Sequence, residues 1–409
     1  MTPRFSEALP VWTKIGLLSF GGPAGQIALM QDEIVTRRGW VPAESFDRGL
    51  AFSMMLPGPE AQQLATWLGW RLHGLWGGLF AGFAFVVPGM ALMILLAWIA
   101  SAHGQVPWVA AIFAGVQPVV IALVLAAMRK LAGRAISGPL HIALALAAFV
   151  ALYFLGLPFP LVVAMAALAG LALPAGDQAG PAPDAGRNAW RHAATTIGIA
   201  AALLIVLFII IRSALGGDPF NDVAALFTTA ALVTFGGAYA VLPFVADQAV
   251  ETYAWLSPAE MLNGLAIAEA TPGPLILVNT YAGYFAGWSA APEFASGATT
   301  ALLATAYTFA PSFALILAFA PAVERLYSIP LARRLLNGVS AAVVGVIANL
   351  AVYLAEAAFM PNGLATPEWL KIALFGLALI AVFVLRAGML TLVGGGIAAG
   401  FALHLGGFW

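Results

Sequence analysis

"LPGP" at residues 56–59 and "TPGP" at residues 271–274 each interrupt an otherwise apolar run. A Pro-Gly-Pro trio cannot continue a helix, and it leaves backbone N–H and C=O groups that lipid cannot satisfy. Irregular backbone of this kind is tolerated at membrane depth only where protein or a water-filled cavity surrounds it. Two such trios in hydrophobic sequence therefore point to the broken tips of membrane hairpins. Working outward from them decides the fold.

The composition places the surroundings in a bilayer. Of 409 residues, 62% are hydrophobic and 9% charged, and mean hydropathy is +0.96. Soluble domains carry roughly 25% charged residues. A formal net charge of −1, with no basic patch interleaved with aromatics, gives no nucleic-acid signature. "MTPRFSEALP" lacks the apolar core of a signal peptide, so insertion through internal spans of an inner (plasma) membrane is expected. With no cysteine, thiolate nucleophiles, iron–sulfur clusters and disulfides are excluded. The five histidines show no ligand spacing, and no phosphate-binding loop precedes any of the three lysines. No metal or cofactor is expected, and an enzyme or a membrane scaffold is a weaker reading than a carrier.

The tips recur at a fixed distance. Pro57 and Pro272 are 215 residues apart, as are Ser19 of "SFGGP" and Thr234 of "TFGGA", Asp32 and Asp247, Trp40 and Trp255, and Gly49 and Gly264. After an insertion near "SAAPEF" the offset becomes 223, pairing Pro88 with Pro311 and Val116 with Val339. The chain reads as an internal duplication: a first repeat over 1–173, a Pro/Gly/Ala-rich linker over 174–191, a connecting transmembrane helix over 192–215 and a second repeat over 216–409. Residues 31–48 contain Arg37, Arg38 and Arg48, whereas the counterpart 246–263 has Asp247, Glu251 and Glu260 and no Lys or Arg. By the positive-inside rule the two loops lie on opposite sides, the first cytoplasmic, and the N-terminus with it. The expected fold is thus all-α, a polytopic membrane protein of two inverted-topology repeats with broken, re-entrant helical hairpins. Half-helices are expected near 8–20, 24–36, 44–56 and 60–72. Full spans are expected near 76–102, 107–131, 139–156, 158–173 and 192–214, then 296–320, 335–356, 368–385 and 387–405. A version in which the broken pairs cross completely is the alternative.

A helix restarting after proline presents unpaired N–H donors and the positive end of its dipole, which suits an anion. The tips accordingly supply the candidate site: Phe20, Gly21 and Gly22, Pro57, Gly58 and Pro59, Phe235, Gly236 and Gly237, and Pro272, Gly273 and Pro274, with Gln62, Gln63, Thr271 and Asn279 as neutral polar neighbours. The bland reading is that Pro and Gly serve as kinks and close-packing points. Duplicated register favours the site. Glu60 and Glu269 lie beside the tips, where a carboxylate costs about 2.5–3.5 kcal/mol and is a functional candidate by default. They are the proton-coupling candidates; capping and a wet cavity are the alternative roles.

"SFGGPAGQIALMQDEIVTRRGW" followed by "MLPGPEAQQLATWLGWRLHGLWGG" resembles the first domain of the chromate ion transporter family in its long, two-domain form. "TFGGAYAVLPFVADQAVETYAWLSPAEMLNGLAIAEATPGPLILV" resembles the second. The resemblance implies a membrane protein that exports chromate and confers chromate resistance, with sulfate as a structurally similar anion. A sulfate or other small-oxyanion carrier is the alternative. Inverted-repeat carriers occur as monomers and as homodimers, and both stay open.

Overall fold

A computed structural model describes residues 3–173, 187–215, 217, 219–235, 237–322, 330–361, 363 and 365–409. The chain is all-α among these residues and is a polytopic membrane protein, with five helices long and apolar enough to cross a bilayer.

The first half opens with the pair α1 (Phe5–Leu18) and α2 (Gly22–Met30), the latter running into a π-helical turn, Gln31–Thr36. Helix α3 (Ala43–Ser53) leads to the first Pro-Gly-Pro, and α4 (Glu60–His103) follows it. Helix α4 is two helices in one: His73 and Gly74 leave helical geometry, with Gly74 at φ 62. Helices α5 (Pro107–Ala135), α6 (Pro139–Tyr153) and α7 (Phe159–Gly170) complete the half, and α8 (Arg187–Leu215) connects to the next.

The second half repeats that order element by element. Helices α9 (Phe220–Val233) and α10 (Ala238–Ala246) are followed by a π-helical turn at Asp247–Thr252. Helix α11 (Pro258–Ala270) leads to the second Pro-Gly-Pro, a 3₁₀ turn at Leu275–Leu277 and α12 (Val278–Ala290). Then come α13 (Phe294–Phe319), α14 (Pro330–Phe359), α15 (Trp369–Phe383) and α16 (Met389–Leu405). The expected spans and half-helices fall on these elements with shifts of a few residues.

The differences have local causes. The expected linker 174–191 yields its last five residues to α8, while 174–186 and Gly236 lie outside the described residues. The π turns insert one extra residue into each half-helix at the matching places, which a hydrophobic period does not reveal. In "VGGGIAAG", Gly396 and Gly400 pack against α5 as expected of small residues, but a Cβ on Gly394 or Gly395 would meet nothing within 4 Å. Helix α8 carries its apolar window wholly on the outside of the bundle, as a lipid-facing connector would.

Two hydrogen bonds define how the halves meet. The Gly58 N–H donates to the Thr234 carbonyl at 2.8 Å, and the Gly273 N–H donates to the Ser19 carbonyl at 3.1 Å. Since Ser19 and Thr234 are counterparts, and Gly58 and Gly273 are counterparts, each copy gives the other the same bond. Such an exchange is what a two-fold relation produces.

Candidate functional site

Each Pro-Gly-Pro trio is a strut, held by the opposite half. Gly58 sits at φ 126 and Gly273 at φ 97, conformations that a side chain rarely adopts. Their amide groups are committed, and so is the Gly273 carbonyl. The Ser19 hydroxyl accepts a second contact from the Gly273 N–H at 2.9 Å, and the Gln26 side-chain amide donates to the carbonyls of Gly273 at 2.6 Å and Ser19 at 3.1 Å. At the first trio the bond comes from the same half: the Gln63 amide donates to the Pro57 carbonyl at 2.8 Å. The long helices close in from behind. A Cβ on Gly89 of α4 would lie 2.1 Å from the Pro272 carbonyl oxygen, and Ser312, its counterpart on α13, stands where a Cβ on Gly58 would go.

The neutral polar candidates are engaged within the protein through their donor groups, while Gln63 Oε1 and Asn279 Oδ1 are buried without a partner among the described residues. Ser312 Oγ donates to Gln62 Oε1 at 2.7 Å, and the Gln62 amide donates to Thr66. Asn279 donates to Thr308 at 3.2 Å, and Thr271 Oγ1 donates to the Ala268 carbonyl at 3.3 Å. Gln62, Gln63, Thr271 and Asn279 are all buried. None of them, and none of Phe20, Phe235, Pro57, Gly58, Pro59, Pro272, Gly273 or Pro274, lines the cavity described next.

That cavity has a volume of about 410 Å³. Its wall brings together parts of two of the interruptions and the flanks of the other two: Gly21 and Gly22 before and at the start of α2, Gly237 before α10, Glu60 at the start of α4, and Glu269 near the end of α11. The helices that begin at the wall are α2 and α10, with Pro23, Ala24, Ala238 and Tyr239 in their first turns. First-turn amides have no intrahelical acceptor, and the dipole adds positive potential there. A N-terminus for an anion therefore lies at the "FGG" breaks rather than at the Pro-Gly-Pro trios, whose central amides are already paired.

Charge completes the cavity. Glu269 is 4% exposed and accepts a hydrogen bond from the Tyr239 hydroxyl. Glu60 lies against Gly237, at 3.6 Å from the position a Cβ there would take. Lys130 and Arg134, one turn apart on α5, line the exposed end of the same cavity. Neither of them stands near a tip in sequence, and the packing of α5 against α11 and α14 brings them in. Their signal in the sequence is the i, i+4 spacing, which puts both cations on one helix face. Lys14 is engaged elsewhere, bridging Glu33 at 2.8 Å with Arg38 on the same carboxylate. The cavity can thus hold a small anion between two helix N-termini and two cations, with two carboxylates at hand for protons.

Fold and site together define an all-α polytopic membrane protein with one charged cavity among paired helix breaks. Residues 7–171 and 221–401 each match the family model described as chromate transporter, and the chain belongs to that family. A chromate transport protein of Pseudomonas aeruginosa is 32% identical over 362 residues, covering 84% of this chain and 79% of that protein. A chromate transport protein of Cupriavidus metallidurans is 26% identical over 360 residues, covering 87% and 84%. An uncharacterized transporter of Methanocaldococcus jannaschii is 25% identical over 350 residues, covering 83% and 81%. No solved structure matches the chain.

Proposed function

We propose that the chain is a secondary carrier, not an enzyme, that exports chromate across the inner membrane and so confers resistance. The observation that carries this reading is the 410 Å³ cavity with Gly21, Gly22, Gly237, Lys130 and Arg134 on its wall. Its helix N-termini and cations suit a tetrahedral dianion, and sulfate shares that geometry. The two repeats are inverted, with the N-terminus cytoplasmic. Supporting this are the exchanged Gly58–Thr234 and Gly273–Ser19 bonds and the opposite charge of the loops 31–48 and 246–263. Arg129, Lys130 and Arg134 at the end of α5 support, by the positive-inside rule, an open end of the cavity on the cytoplasmic side.

The driving force follows from charge. Moving one charge through 100 mV is worth about 2.3 kcal/mol, so a dianion leaving a negative interior gains about 4.6 kcal/mol. That corresponds to about three decades of concentration ratio. Export needs no obligatory ion coupling, and a proton on Glu60 or Glu269 modulates rather than powers it. The test is chromate flux from proteoliposomes of the purified chain under a potential set by a potassium gradient. Interior-negative liposomes are expected to release chromate faster than liposomes at zero potential, at one fixed pH on both sides. Release at equal rates would contradict potential-driven export.

A further inference from the structure

A second cavity, of about 180 Å³, shares the helices α10 and α14 with the first and carries none of the roles above. It is lined by Leu152, Tyr153, Pro243, Asp247, Asn349, Tyr353 and Glu356. Three of these positions are the register counterparts of residues lining the larger cavity. Pro243 matches Ala28 at an offset of 215, and Asn349 and Tyr353 match Ala126 and Lys130 at an offset of 223. The small cavity is therefore the second half's counterpart of that part of the larger one lined by Ala28, Ala126 and Lys130. Its mouth is spanned by the Tyr153 hydroxyl, which donates to Glu356 Oε1 at 2.7 Å.

The chemistry of the two is opposite. The larger cavity has Lys130 and Arg134 at its exposed end, with Glu60 and the buried Glu269 farther in. In the small cavity Tyr353 stands at the register of Lys130 and Ala357 at that of Arg134, and its charged wall residues are Asp247 and Glu356. The neighbourhood of Asp247 changes in the same sense. Asp32, its counterpart, pairs with Arg37 at 2.7 Å, whereas Thr252 occupies the register of Arg37, and Asp247 accepts only from the Gln248 amide among the described residues.

From this we infer that the small cavity is the outer vestibule of the anion path, closed here by Tyr153 and Glu356, and that the exchange of cations for carboxylates between the two vestibules gives the carrier a high affinity for the dianion at the inner face and a low one at the outer. The inference rests on the carrier reading above. Lys130 and Arg134 are its specificity-determining residues: two fixed cations at a low-dielectric mouth raise the local concentration of a dianion more steeply than that of a monoanion. Asp247 and Glu356 lower it at the exit, so a released anion rebinds poorly. The membrane potential and the concentration gradient still set the net direction. At zero gradient the ratio of maximal rate to KM must be equal both ways, so the asymmetry appears as a difference in KM matched by one in maximal rate.

Right-side-out and inside-out vesicles containing the full chain give the two faces separately. At zero potential the KM for chromate is expected to be about tenfold or more lower at the inner face than at the outer. The Lys130→Gln/Arg134→Gln chain is expected to raise the inner KM toward the outer value and to lose the dependence of that KM on ionic strength. Lys130→Arg should retain the inner KM, which a merely structural role for Lys130 would not ensure. Glu356→Gln is expected to lower the outer KM several-fold, by weakening both the repulsion and the closing bond. Equal KM values at the two faces of the unmodified chain, or an inner KM unmoved in the double variant, would overturn the inference while leaving the carrier reading intact. If neither face supports chromate flux, both fall together.

Discussion

Glu60 and Glu269 come from positions that are not counterparts, since Glu60 aligns with Leu275 and Glu269 with Met54. The two carboxylates nevertheless reach one cavity, because Glu60 opens α4 and Glu269 lies near the end of α11. Two-fold symmetry of the backbone thus carries an asymmetric pair of acids. If they exchange protons with the bound anion's surroundings, the Glu60→Gln/Glu269→Gln chain should transport chromate between about pH 5 and 8 at a rate that varies only as chromate itself protonates to hydrogenchromate, whereas the parent chain should carry an additional pH dependence. Initial flux at a fixed potential across that range checks it. A profile unchanged from the parent chain would assign the carboxylates to shaping the cavity instead. Residue identities at the breaks were legible from the sequence because each had a counterpart 215 positions away. Lys130 and Arg134 were not, because nothing local marks a cation near the end of a span as a wall of a distant cavity.

Among the elements, the pairing of each Pro-Gly-Pro with the opposite long helix is the feature on which the site's shape depends. Gly89 on α4 touches the Pro272 carbonyl, and no heavier residue fits without moving one of them. Gly89→Val is expected to lose about 1–3 kcal/mol of stability by overpacking and to reduce chromate flux strongly. Gly395→Ala, where a Cβ has open space, should leave both nearly unchanged. Thermal unfolding in detergent together with flux in liposomes measures the two effects. A Gly89→Val chain with parental melting and parental flux would show that the tip is not held as described. At this scale hydropathy located the helices well, since span length and apolar content are set by the bilayer. Spacing marked all four breaks alike as candidate tips, and of their described residues only Gly21, Gly22 and Gly237 line the larger cavity. Proline marks where a helix can start, but which start is free for a ligand depends on where the neighbouring carbonyls fall, and the Ser19 and Thr234 carbonyls fall on Gly273 and Gly58.

Taken as a whole, the molecule is two copies of one helical unit joined by α8, meeting through exchanged hydrogen bonds, with a larger and a smaller cavity that share the helices α10 and α14. Duplication was readable from spacing alone. The contrast between the two cavities was not, because it arises where counterparts differ, as Lys130 and Tyr353 do. Chromium scatters X-rays anomalously, so crystals of the chain soaked in chromate locate the anion without reference to any activity. The expected result is a chromium peak inside the larger cavity, between Gly22, Gly237 and Lys130. A peak lying instead against a lipid-facing surface, or one confined to the Pro-Gly-Pro trios with the larger cavity vacant, would contradict the account.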